Sequence, residues 1–229
     1  MNKNVSAKNT SFNGSRFVRE SHNCYSYFLN LQSRKATDAC KNDLNKENHC
    51  RRSQPGYSSG YPELKTRNFN CKEIVKRTLA DNPKMFKTTR NKSCPVSYYK
   101  GAVVVAPGVD YHYYRLNDEG VWTHKPGARP TSLLDAKNNI IKDPKNADRK
   151  YGKDLNYKDF CGYTCIPRNP VLKHMKMDAN RELSDNSNKT INQKIVDKPL
   201  PRPITKGKNK RKTNKLKTNK RKTNKRIKK

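Results

Sequence analysis

One cysteine and two histidines stand in settings that thiol catalysis uses. Cys24 lies in Asn23-Cys24-Tyr25-Ser26-Tyr27, His112 in Asp110-Tyr111-His112-Tyr113-Tyr114-Arg115, and His124 in Trp122-Thr123-His124-Lys125-Pro126-Gly127. A thiol attacks as thiolate, and both a helix N-terminus and a nearby imidazole lower its pKa. Those residue types therefore point to Cys24 as nucleophile and His112 as base. His124 would orient the imidazole through one ring hydrogen bond, as the third member of a triad does. Asp110 competes for that orienting role, since it projects from the same strand face as His112. The bland alternatives are equally concrete: Cys24 as a small buried hydrophobe, His112 as a strand histidine satisfied by a tyrosine, and His124 as part of an exposed turn.

The elements that must position these residues can be read from pattern. Ser21 or Asn23 can cap a helix running through Tyr25, Phe28, Leu29 and Leu31, which puts Cys24 in its first turn. Lys35 to Arg67 is polar and turn-rich and reads as a long loop. Asn70 stands three residues before Glu73, ahead of Ile74, Val75, Thr78 and Leu79 at helical spacing, so a second helix should run to Asn82-Pro83. Gly101 to Ala106 is a buried strand stopped by Pro107-Gly108. Asp110 to Leu116 and Gly120 to His124 then form a hairpin that sets the two histidines on facing arms. Tyr157 to Pro167 closes the domain.

Composition bounds the rest. Only 31% of the 229 residues are hydrophobic and the formal net charge is +33, which suits one compact domain with disordered ends and an anionic partner. The last 24 residues hold 14 Lys or Arg and no acid, in a near-repeat of five. Such a tail binds phosphates by counterion release, with little sequence preference. The residues expected to carry this are Lys210, Arg211, Lys212, Lys215, Lys217, Lys220, Arg221, Lys222, Lys225 and Arg226. Part of the body's charge can instead reflect a genome that favours Lys and Asn. No apolar run approaches the ~18 residues of a spanning helix, and Met1 to Arg19 has no signal-peptide core. The seven cysteines are expected to be mostly reduced, with bridges if the protein reaches an oxidising compartment. Cys50, Cys71, Cys94, Cys161 and Cys165 include no Cys-x-x-Cys pair, so neither a metal nor another cofactor is expected.

With Cys24, His112 and His124 in that order, the chain resembles the papain-like cysteine hydrolases of the NlpC and CHAP kind. In these a Cys starts a helix, a His lies on a sheet strand and a further polar residue comes from the adjoining strand. The stretch from Asp110 to Gly127 also resembles a segment in uncharacterised proteins of large, mimivirus-like DNA viruses. The resemblance spans roughly residues 20 to 168. It implies a peptide or amide substrate and a location in a virion or host cytoplasm, while the basic tail alone would also suit the nucleus.

The expected architecture is α+β, a small antiparallel sheet with an N-terminal helix bearing Cys24, flanked by disordered basic tails. Residues 1–19 would be a flexible leader, 20–170 the papain-like domain, 171–205 a linker and 206–229 the disordered tail. The expected function is a thiol hydrolase, an amidase or peptidase, held on nucleic acid by its tail. The alternative is a non-enzymatic basic protein of a virion that packages nucleic acid.

Overall fold

The computed structural model describes the backbone of residues 10–47, 50–168 and 195–197, and the side chains of 10–42 and 50–168. Residues 206–229, with every tail residue named above, and the linker apart from 195–197 lie outside the described residues. The architecture is mixed helix and sheet, built on a five-stranded antiparallel sheet in the order β2-β6-β3-β4-β5. Its strands are β2 (Phe86–Thr88), β3 (Tyr98–Ala106), β4 (Asp110–Leu116), β5 (Trp122–His124) and β6 (Asp159–Pro167). The helices are α1 (Arg16–Ser21), α2 (Cys24–Phe28), α3 (Arg34–Glu47) and α4 (Cys71–Asp81), and β1 (Leu31–Ser33) pairs with β7 (Ile195–Asp197). Among the described residues, no helix is long and apolar enough to cross a membrane.

β3 is the centre of the sheet because it can bury both faces. Val103 and Val105 face one side and Ala102, Val104 and Ala106 the other, all nearly inaccessible, as alternation along a strand requires. The first side packs Phe28, Leu29 and Leu31 from the α2-β1 segment and Ile74 and Val75 of α4. The second packs Trp122, Tyr114, Tyr157 and Tyr163 beneath the irregular segment between β5 and β6. Gly101 is required where α2 crosses β3: a Cβ there would stand 2.3 Å from the Phe28 ring and 2.5 Å from Ile166.

Three elements differ from the sequence reading. The first helix ends at Phe28 and Leu31 begins a strand, because Asn30 takes a left-handed turn with φ of 53°. The leader does not extend to residue 19: Phe12 is buried, Thr10 and Ser15 cap short helices, and Asn13 bonds Thr131. The start of the supposed loop is instead α3, whose polar composition hid a helix lying against α1. The second helix, the strand over 101–106 and the hairpin are as read, whereas β7 falls inside the span expected to be linker. Asn70 caps α4 by accepting from the Glu73 amide, and the β4-β5 hairpin has Tyr114 opposite His124.

The cysteines also depart from expectation, for six of the seven are paired, Cys40–Cys50, Cys71–Cys161 and Cys94–Cys165. The second joins the first turn of α4 to β6 across 90 residues of sequence, a loop whose closure is worth about 4.6 kcal/mol in the chain-entropy account. The cysteines weighed as metal ligands are thereby consumed. Cys24 alone is free, and it is buried.

Candidate functional site

The site forms where the outer strand of the sheet stops. β5 pairs with β4 only at Tyr114, Arg115 and Leu116, so the earlier half of β4 has an edge without a strand partner. The N-terminus of α2 abuts that edge. Asn23 caps the helix by accepting from the amides of Tyr25 and Ser26 while its own amide meets Ser26 Oγ, the reciprocal pattern that fixes a helix entry. Cys24 is the first helical residue. Its Sγ lies 4.0 Å from Tyr111 O and also faces the Tyr113 amide, the polar groups that a neighbouring strand would otherwise have taken.

This gap explains how groups from opposite faces of β4 meet. Tyr111 and Tyr113 point into the helix-covered side, whereas Asp110, His112 and Tyr114 point to the other, yet Cys24 at the edge and His112 line one cavity of about 590 Å³. The loop opposite is fixed independently. Asn23 Nδ2 donates to Ser53 O, and Asp81 of α4 accepts from the amides of Gly56 and Ser59. Arg52 and Gln54 therefore enter the same cavity wall on a restrained segment.

The two histidines are joined directly, His112 Nε2 to His124 Nδ1 at 2.7 Å, and His124 Nε2 lies 2.9 Å from Leu134 O. A carbonyl only accepts, so His124 Nε2 carries the hydrogen and its Nδ1, in the neutral ring, offers a lone pair. His112 Nε2 must then donate, which leaves His112 Nδ1 as the unprotonated, basic nitrogen. The Leu134 carbonyl thus sets the tautomer of a ring two residues removed from it in the chain of hydrogen bonds. Tyr157 tilts over His112 at 5.3 Å and Tyr114 stacks on His124 at 5.2 Å, holding both planes.

Burial governs the charges here. It holds His112 well below the ordinary imidazole range, with the His124 charge adding to the effect, and brings His124 down to about 4. Burial pushes the Cys24 thiol well up, and the carboxylate of Asp110 opposes its ionisation further. The resting site is accordingly a neutral thiol beside a neutral imidazole. Asp110 is itself raised by burial, while Tyr157 Oη, which donates to its Oδ2 at 2.6 Å, and the Tyr111 amide favour its ionised form. Asp110 therefore bonds Tyr157, and His124 holds the orienting position beside His112. Lys125 is fully buried with Nζ on Arg19 O and Gly127 O, and burial, then Arg52, lowers it to about 7.

The structure thus brings Cys24, His112 and His124 to one cavity. Sequence reasoning missed Leu134, Tyr157, Gln54 and Arg52 at this site. None belongs to a local motif around the thiol or the imidazoles; Arg52 and Gln54 fall in the stretch read as a loop, and Tyr157 opens the stretch read as closing the domain. Among the described residues, no group of three or more His, Cys, Asp or Glu is placed to hold a metal ion.

Over 147 residues, 64% of this chain and 80% of the other, the sequence is 29% identical to Insoluble matrix shell protein 1 of Ruditapes philippinarum. No family model matches the chain. No solved structure matches it.

Proposed function

We propose that the protein is a thiol hydrolase acting on an amide or peptide bond, with Cys24 as nucleophile and His112 as base. The observation that carries this reading is the His112 to His124 to Leu134 O sequence of hydrogen bonds, which leaves Nδ1 unprotonated on a His112 ring that lines the same cavity as Cys24. As the thiol attacks a carbonyl carbon, its proton passes to His112 Nδ1. The imidazolium so formed is stabilised through Nε2 by His124, and then protonates the leaving amine. Water hydrolyses the thioester and restores the thiol. Because both partners start neutral, the proton moves only during attack.

Peptide-resolved iodoacetamide labelling between pH 6 and 8 tests this. Cys24 should react faster than its thiolate fraction allows, and His112→Ala should slow it by at least about tenfold, given the usual yield of general-base help. Equal rates in the two proteins would end the hydrolase reading.

Three disulfides support maturation in an oxidising compartment or particle. The acid-free tail supports a polyanion partner such as nucleic acid. The mollusc relative, by its printed name a component of an insoluble matrix, favours a second reading in which the domain is a structural constituent and the site does not turn over.

A further inference from the structure

The cavity holds one carboxylate among its lining residues, Asp110. The chain carries 52 Lys and Arg against 19 Asp and Glu, so a cation for any acid is abundant. Asp143 pairs with Arg90, Glu20 with Arg52, and Glu73 with Arg77, while Asp81, sealed from solvent, is met by Tyr25, Gly56 and Ser59; Asp110 differs from Asp81 in opening on the cavity. Among the described residues, no ion pair reaches Asp110, whose Oδ2 accepts from Tyr157 Oη and which also takes the Tyr111 amide. A largely buried carboxylate without a cationic partner is costly. The surfaces around it, Phe69, Tyr111, Tyr151 and Tyr157, are aromatic, and ring faces attract a desolvated ammonium. The same carboxylate stands near enough to Cys24 to hinder its ionisation.

We propose that Asp110 and its aromatic surround form a subsite for a lysine side chain of the substrate, in the cavity that Cys24 also lines. This inference rests on the hydrolase reading for its consequence: a seated ammonium would offset the part that Asp110 plays in raising the thiol, burial remaining the larger part. Other charged or titratable groups bear on the field here: Cys24 from α2 and His112 from β4 are neutral at rest, Lys125 just after β5 favours the thiolate, and Arg52 and Arg129, from two loops, line the same cavity.

The test is the rate of Cys24 alkylation in the full chain at pH 7.5, read peptide by peptide, with Nα-acetyl-lysine amide, Nα-acetyl-norleucine amide or alanine amide. The lysine derivative, a cation at this pH, should raise the rate saturably by up to about tenfold, the equivalent of one pKa unit from compensating a nearby charge. The norleucine derivative should leave it unchanged. Asp110→Asn should raise the rate without any ligand and abolish the response to lysine. Wild-type protein that shows no lysine-dependent change, or responds equally to norleucine, overturns the subsite whatever the variant does. A change produced by alanine amide and not by the lysine derivative would also overturn it, in favour of a free amino terminus. Since the readout is the response to ligand, it stays informative if His112→Ala leaves alkylation unchanged; the hydrolase would then fall while the lysine response still decided the fate of Asp110.

Discussion

The two faces of the sheet are held by different means. Below β3 and β4, helices α2 and α4 bring Phe28, Leu29, Ile74 and Val75 against Val103, Val105 and Tyr113, a dry interface. Above them, the segment between β5 and β6 has almost no regular structure and is organised by carboxylates. Asp143 accepts from Tyr163 Oη, the Lys145 amide, Asn146 Nδ2 and Arg90, and Asp135 accepts from the amides of Lys137, Asn139 and Asp148. Both faces bury apolar side chains, but only the second adds a layer of loops anchored by carboxylates, and the candidate site lies at the edge where the two faces meet. The helix side can deliver a thiol at a helix N-terminus, while the loop side can deliver a carbonyl that fixes a tautomer, because loops have backbone groups to spare.

Acid should strain both sides most. His22, beneath the helices, donates from Nδ1 to Val18 O and accepts the Ser33 amide at Nε2, and burial lowers it to about 4, as it does His124 at the site. These rings stay neutral in the folded protein while the unfolded chain takes up protons below ~6.5. Their contribution is thus fully present above pH 6.5 and lost as pH falls toward 4, on the order of 3 kcal/mol for each ring at most. Urea midpoints measured at pH 7.5, 5.5 and 4.5 should fall steeply, and His22→Gln should flatten the fall without touching Cys24 labelling. A midpoint that does not move across this range would contradict the neutral assignments.

A smaller effect separates the faces. Asp143→Ala strips four partners at once and should cost about 2 to 3 kcal/mol, the penalty for leaving buried polar groups unmet. Hydrogen exchange should rise in residues 135–149 and stay unchanged in α4. The least effect is expected from Tyr113→Phe on the helix side. The hydroxyl bonds Thr78 Oγ1 at 2.6 Å, but Thr78 keeps Ile74 O as its acceptor, so the loss should be about 1 kcal/mol with the ring's packing intact. If Tyr113→Phe proved the costlier of the two, the division between an apolar face and a polar one would be wrong.

Much of the site's placement was legible because it depends on local rules. Asn23 before a helical run fixes Cys24 at a helix start, and Asn117-Asp118-Glu119-Gly120 between alternating residues brings the arms bearing His112 and His124 together. The α3 helix was not legible, since its stretch is polar throughout and its order depends on packing against α1 and on Cys40–Cys50. The first helix stopped early for the same kind of reason, because Leu31 is needed in the core as a strand residue.

By itself the sequence determined β3, α4, the capped helix start at Cys24 and the hairpin of β4 and β5, since each follows from spacing, capping and turn chemistry within a few residues. Tertiary structure alone decided which cysteines pair, where β5 ends and leaves the edge of β4 open, that Leu134 O sets the imidazole tautomer, and that Asp110 sits beside the thiol without a cation. Those outcomes join residues up to 90 positions apart, and they are chosen by competition for burial and hydrogen bonds across the whole domain, which no local pattern encodes.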